Sequence, residues 1–162
     1  MGHITIDEDG EFCSCGNRGC LKVYASGSAI MERVRTALKK GVTSSLAALA
    51  DRQLTIEAIM AAGREGDRLS QNVFPEAGTH LGTALADLVN LLNPQKIILG
   101  GVVPQIAQQL LIDPLLVSLR QRAFHQSVGD LELVVSQRGE ETAAVGATLL
   151  AAERVLETVL KP

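Results

Sequence analysis

The sequence predicts an α/β domain, and three observations lead to that class. Two short apolar runs rich in β-branched residues, Ile97-Ile98-Leu99 and Leu131 to Val135, have the length and composition of strands. Helix-patterned sequence separates and follows them, and alternating strand and helix argues for α/β layering. All three cysteines lie within eight residues, Cys13 to Cys20, ahead of the alternating part. Such clustering marks a small metal knuckle near the N-terminus rather than a disulfide framework.

The chain has 162 residues, 46% of them hydrophobic, enough for one domain with a core, and carries a formal net charge of −3. Its basic residues Arg33, Arg35, Lys39 and Lys40 are interleaved with apolar ones on a predicted helix, which excludes a nucleic-acid-binding face. No apolar run is read as approaching the length of a membrane span, so a soluble, cytoplasmic protein is expected, with no membrane partner.

Taken in order, Ile4-Thr5-Ile6 predicts a short strand, ended by Asp9-Gly10, that delivers His3 to the knuckle. A Cys-x-Cys pair, a third Cys five residues on and one imidazole make up a Cys3His set, a closed structural zinc site. His3, Cys13, Cys15 and Cys20 are the predicted ligands, and zinc the predicted structural cofactor. Gly10, Gly16 and Gly19 suit a backbone that folds around an ion. The alternatives are ordinary buried thiols, or one disulfide with a thiol left over; the odd count and the lack of a secretory signal speak against the disulfide.

Val23, Ile30, Val34 and Leu38 recur at helical spacing over 21–38, with Gly41 as the stop. This helix starts from the knuckle, so metal binding would count toward folding of the first third. Residues 42–54 read as a connection with one helical turn at Leu46 to Leu49. Thr55 is the predicted N-cap of a helix over Ile56 to Arg64. Gly66 ends it, and Asp67 caps the next helix, which runs to Leu92 and is apolar nearly all round in its last part. Pro75 should kink or divide that helix. Asn93-Pro94 breaks it before a strand over Lys96 to Leu99, expected to be covered on both faces. Pro104 leads into a helix over Ile106 to Leu111, and Asp113-Pro114 caps a second over Leu115 to Phe124. A last helix is expected over Glu140 to Leu160, with Gly146 permitting close packing.

The run Gly2-His3-Ile4-Thr5-Ile6-Asp7, the spacing Cys13-x-Cys15-Gly16-x-x-Gly19-Cys20-Leu21, Tyr24-Ala25-Ser26-Gly27, Gly66-Asp67, Leu92-Asn93-Pro94, Ile97-Ile98-Leu99-Gly100-Gly101 and Val145-Gly146-Ala147 together resemble the signature of the ROK family of repressors, open reading frames and kinases. The resemblance spans essentially the whole chain and implies the C-terminal lobe, residues 1–162, of a two-lobed actin-like (ribonuclease H-like) ATPase fold. Within it lie the knuckle (3–20), a helical region (21–93) and a strand-and-helix region (95–162). The N-terminal lobe, with its phosphate loop and catalytic Asp, and the helix-turn-helix of repressor members are expected to be absent from it, so no catalytic residue is assigned.

The resemblance also implies sites. In sugar-phosphorylating relatives the His of the Gly-His pair touches the sugar, which points to His3, and a Glu follows the Cys-Leu of the knuckle where this chain has Lys22. A carboxylate accepts hydrogen bonds from sugar hydroxyls whereas an ammonium only donates, so Lys22 is either a sugar contact of altered logic or a solvent-exposed helix residue. Gly100 and Gly101 correspond to a pair lying against adenosine in kinases, though Val102 follows where a small residue is usual; the other reading is a strand ending in a tight turn. His80 and His125 have no partner at ligand spacing and read as ordinary helix or loop residues. Two functions follow as expectations. One is the sugar-sensing, dimerising part of a transcriptional regulator that takes a sugar or sugar phosphate effector and assembles as a homo-oligomer. The other is the C-terminal lobe of an ATP- and Mg2+-dependent sugar kinase. The connection at 42–54 resembles the repressor branch, of the xylose and N-acetylglucosamine type.

Overall fold

A computed structural model describes residues 1–138 and 141–159. After the knuckle come α1 (Leu21–Ala25), α2 (Gly27–Lys39), two 3-10 turns (Ser45–Ala48 and Asp51–Gln53), α3 (Ile56–Arg64), α4 (Arg68–Leu92), β1 (Lys96–Leu99), α5 (Val102–Arg122), α6 (His125–Gly129), β2 (Glu132–Val135) and α7 (Thr142–Val159). The strands pair in parallel, Lys96 opposite Glu132 and Leu99 opposite Val135. Two of the predicted caps hold: Thr55 Oγ1 accepts from the Ala58 N–H at 3.2 Å, and Asp67 Oδ1 accepts from the Ser70 N–H at 2.9 Å.

Helix α4 is the axis of the molecule. Its first half joins α2, α3 and the start of α5 in a core of Ile30, Val34, Ile56, Ile59, Phe74 and Leu111. Its second half packs Leu85 and Val89 against Leu115 and Leu119 of α5 and Leu99 of β1. Both halves require α5 to lie almost on the α4 backbone. A Cβ on Gly78 would stand 2.3 Å from the Leu111 carbonyl oxygen, and one on Gly82 2.4 Å from that of Leu115. Polar groups lace the same seam. Thr83 Oγ1 and Ser118 Oγ lie 3.3 Å apart, and the Asn90 side chain donates to the Arg122 carbonyl at 3.3 Å and accepts from the Phe124 N–H at 2.8 Å.

Several expectations are corrected. The segment Ile4 to Ile6 forms a single antiparallel bridge, Thr5 with Cys20, because its partner is one turn of the knuckle rather than a strand. The helix expected over 21–38 is two helices, divided at Ser26, which is extended (φ −77°, ψ 157°) and whose hydroxyl accepts from the Ala29 N–H at 3.1 Å. Pro75 does not divide α4. An interior proline costs about 3 kcal/mol, whereas burying Val73, Phe74 and Ala77 around it recovers about 1.5–3 kcal/mol for each large side chain. Helix α5 runs through Asp113-Pro114, held by the buried stripe Ala107, Leu111, Leu115 and Leu119; its break falls instead at Gln108 (φ 36°, ψ −117°). Strand β1 is covered on one face only: Leu99 is buried and Ile98 is 62% exposed. Helix α5 is, after all, long and apolar enough to cross a membrane by length and composition, but its inward stripe is spent on this chain's own core. The ends expected for the last helix, Glu140 and Leu160, lie outside the described residues. Around Gly146 nothing among the described residues comes within 4 Å of a Cβ, so no close packing occurs there.

Two outcomes follow. Gly82→Ala should destabilise the chain by about 1–3 kcal/mol through overpacking, although alanine is the better helix former by about 1 kcal/mol. Gly146→Ala, with open space around it, should stabilise by about 0.5–1 kcal/mol; urea titration of both variants compares the signs.

A further outcome concerns Asp67. Burial pushes its carboxyl up, but the Ser70 N–H, the Ser44 hydroxyl and the Ser45 N–H outweigh that and hold it well below the usual carboxylate range. A depressed pKa adds stability that is present above the unfolded value of about 3.9 and is lost as pH falls toward the folded one. Asp67→Asn should therefore flatten the acid limb of a stability-against-pH curve below about pH 4, measured by thermal melts across that range.

Candidate metal centre

The knuckle is built by backbone bonds that bring three separated stretches together. The Ile6 N–H donates to the Gly19 carbonyl and the Gly19 N–H to the Glu11 carbonyl, each at 2.8 Å, while the Leu21 N–H reaches the Ile4 carbonyl at 2.8 Å. The Cys13 N–H donates to the Asn17 carbonyl at 2.8 Å and closes the loop between the cysteines. Gly19 is obligatory: its φ is +60°, and a Cβ would fall 1.5 Å from the Asp7 carbonyl oxygen. The Arg18 guanidinium lies 3.7 Å above the Phe12 ring and covers the outer side of the loop.

These constraints bring the four predicted ligands together. One ligand atom from each of His3, Cys13, Cys15 and Cys20 lies within 4.8 Å of the other three. Cys13 Sγ is 3.6 Å from His3 Nδ1, and Cys15 Sγ is 3.6 Å from Cys20 Sγ. Tetrahedral zinc, with bonds of about 2.3 Å to sulfur and about 2.0 Å to nitrogen, sets ligand atoms about 3.5–3.8 Å apart. The donor set is one that zinc takes, and the two 3.6 Å pairs have its spacing. Cys13 and Cys20 are buried, while His3 and Cys15 face outward.

The thiols are electrostatically unequal. The Cys15 N–H, opposed by burial and aided by the neighbouring thiols and His3, pulls Cys13 down to about 6. Burial, with Cys15 and Cys13 beside it, pushes Cys20 up to about 12. One thiolate is thus ready at neutral pH, and the buried Cys20 is the ligand whose ionisation a cation must drive. Four protein ligands leave no open position for water, so such a site is structural rather than catalytic.

The other residues singled out from the sequence stand apart. Lys22 is exposed on α1, its Nζ donating to Ser14 Oγ at 3.4 Å, on the rim of a crevice of about 580 Å3 between the knuckle and α2. Gly100 and Gly101 join β1 to α5 at the far end of the sheet; Gly101 has φ +106° and nothing within 4 Å of a Cβ. His125 opens the short helix α6. Three residues that sequence reasoning left without a role meet at the knuckle's inner side. Tyr24 is buried, its hydroxyl accepts from the Glu11 N–H at 3.0 Å and donates to Asp7 Oδ2 at 3.4 Å, and its ring stacks on His80. The one available signal was that Tyr24 is the chain's single tyrosine, four residues after a ligand.

Comparison with known proteins bears on this geometry. The ROK family matches residues 1–154. The DNA-binding transcriptional dual regulator NagC of Escherichia coli K12 is 35% identical over 160 residues, which is 99% of this chain and 38% of that protein. A glucokinase of Thermotoga maritima is 31% identical over 157 residues, 96% of this chain and 49% of its own length. Among solved structures, a ROK family transcriptional regulator described as a homologue of the E. coli Mlc protein superposes with a TM-score of 0.76 at 39% identity, covering 83% of this chain and 33% of its own. A ROK family glucokinase from Streptomyces griseus, in complex with glucose and AMPPNP, gives 0.74 at 29% identity over 92% of this chain and 49% of its own. The chain thus spans between a third and a half of the length of these relatives. The α/β chain shares the actin-like fold of these sugar kinases and regulators, and it belongs to the ROK family.

Proposed function

We propose that this chain is the C-terminal, zinc-containing, sugar-sensing and dimerising part of a ROK-family transcriptional regulator. The observation that carries the reading is the closed four-ligand set in a chain whose regulator relatives align over nearly all of it, NagC over 99%. A closed site serves to hold a loop in place, which suits a sensing domain. Zinc is held by His3, Cys13, Cys15 and Cys20. His3 and Lys22, at the edge of the knuckle, are the residues offered to a sugar or sugar phosphate effector. Self-association would use the exposed apolar residues Leu149, Leu150 and Leu156 of α7 together with Leu91 and Leu92 at the end of α4. The protein is cytoplasmic in this reading, and DNA is contacted by parts outside this chain.

One observation favours a second reading, the C-terminal lobe of an ATP-dependent sugar kinase. The backbone at Gly101 is open, with nothing within 4 Å of its Cβ position, and a glucokinase bound to glucose and AMPPNP shares the fold. In that case Gly100 and Gly101 face the nucleotide, with Mg2+ on its phosphates.

Purified chain should contain one zinc per polypeptide by elemental analysis, and Cys13→Ser should abolish the tetrahedral cobalt spectrum of the substituted protein. A zinc content below about half an equivalent in protein never exposed to chelator would sink the ligand assignment. Regulator and kinase separate in the complete reading frame that contains this chain. The regulator reading expects sugar or sugar phosphate to shift its DNA affinity in a mobility-shift titration, and a dimer mass by light scattering. Sugar-dependent ATP turnover that survives removal of contaminants would replace it with the kinase.

A further inference from the structure

The candidate ligands of the knuckle come from two strings of residues, His3 on one side and the three cysteines on the other; backbone bonds from Leu21 to Ile4 and from Ile6 to Gly19 tie the strings at one end, and the turn that connects them is held separately. The connecting turn, 7–11, is exposed except at the half-buried Gly10 and buries no apolar side chain. Its only internal backbone bond is from the Gly10 N–H to the Asp7 carbonyl, at 3.2 Å. One side chain from outside reaches both ends of that turn. Tyr24 Oη accepts from the Glu11 N–H at 3.0 Å and donates to Asp7 Oδ2 at 3.4 Å. The fit is close enough to restrict the loop sequence: a Cβ on Gly10 would lie 2.0 Å from that oxygen.

Tyr24 is in turn fixed from behind. Its ring and the imidazole of His80, on α4, are stacked with centroids 4.5 Å apart and planes inclined by 27°. Burial, and then Arg33, hold His80 below its ordinary value against the opposing pull of Glu76 and Asp7, so the ring is uncharged at neutral pH. A neutral imidazole is a suitable stacking partner for a phenol. Since α4 contributes to both hydrophobic clusters, the stack ties the knuckle to the helix on which the core is packed.

We propose that Tyr24 is the positioning residue of the metal centre: its hydroxyl pins the Asp7–Glu11 turn and its ring, seated on His80, anchors that turn to α4, so that the folded core sets the separation of His3 from the cysteines. Outer groups that orient ligands alter metal affinity by about 10- to 100-fold. This inference rests on the zinc reading above for its affinity readout and has a second readout that needs no metal.

The experiment uses the full chain with Tyr24→Phe, His80→Ala and His80→Phe. Zinc affinity is measured by competition with a chromophoric chelator, and hydrogen exchange at the Glu11 amide is followed in metal-free protein. Tyr24→Phe keeps the stack and removes both hydrogen bonds. It should weaken zinc binding about tenfold or more and speed exchange at Glu11, while the helical circular dichroism and the tetrahedral cobalt spectrum persist. His80→Ala should weaken zinc binding in the same direction, and His80→Phe, which restores an aromatic platform, should return affinity to within about threefold of the parent. The inference is overturned if Tyr24→Phe leaves zinc affinity within twofold, if His80→Phe is as impaired as His80→Ala, or if Glu11 exchanges at the parent rate in Tyr24→Phe. A parent chain that binds no zinc refutes the zinc reading, and the exchange rate at Glu11 then decides by itself whether Tyr24 holds the turn.

Discussion

Everything in this fold leans on the near-contact of two helix backbones, α4 and α5 at Gly78 and Gly82. With side chains at those positions the helices would stand apart by the width of a methyl group or more, and the two hydrophobic clusters on either side of the seam would lose their common wall. Ile59 and Phe74 above, and Leu85 and Leu119 below, are all fully buried because α4 serves both clusters at once. Interiors packed to crystal-like density tolerate no such gap, since a void forfeits the dispersion contacts on both its faces. The same seam explains why Pro75 and Pro114 survive inside helices: the buried stripes that flank them are worth more than the hydrogen bonds the prolines remove.

The knuckle stands on different physics. Cys13, Cys20, Leu21 and Tyr24 are its only well-buried apolar residues, too few to fold some twenty residues by burial. Backbone bonds between Ile4 and Leu21, Ile6 and Gly19, and Cys13 and Asn17 give it a shape, and a cation joining four ligand atoms would supply the free energy that the missing core does not. Loop and core meet where Tyr24 touches both. The domain therefore has a helical body stabilised by packing and a loop shaped by backbone hydrogen bonds, whose four converging side chains could hold a metal ion, joined through a few side chains of α1, α2 and α4.

The strand pair and α7 are less enclosed. Parallel strands are ordinarily covered on both faces, yet β1 and β2 present Ile98 outward, and Leu149, Leu150, Val155 and Leu156 of α7 are exposed as well. Leu149, Leu150 and Leu156 are among the apolar residues that the proposed self-association would cover. The relatives are two to three times as long as this chain.

Much was legible in the sequence, for reasons that are local. Thr55 and Asp67 cap helices because a short polar side chain can reach an N–H three residues on, and α3 begins and ends where that chemistry and Gly66 say it should. The cysteine spacing named the ligands because loop closure around one ion admits few spacings, and Cys13, Cys15, Cys20 and His3 do converge. What stayed hidden depended on partners distant in the chain. That Ile98 faces outward is decided by how many strands surround it, and that Pro75 is tolerated is decided by what Phe74 packs against. His80 matters to the knuckle because Tyr24, fifty-six positions away, lies under its ring. By itself, then, the sequence determined the caps at Thr55 and Asp67, the two strand segments and the cluster of His3, Cys13, Cys15 and Cys20, each set by interactions within a few residues or one loop. Only the tertiary structure decided the glycine seam and the Tyr24–His80 anchor, because backbone approach and ring stacking exist only once remote segments share a core.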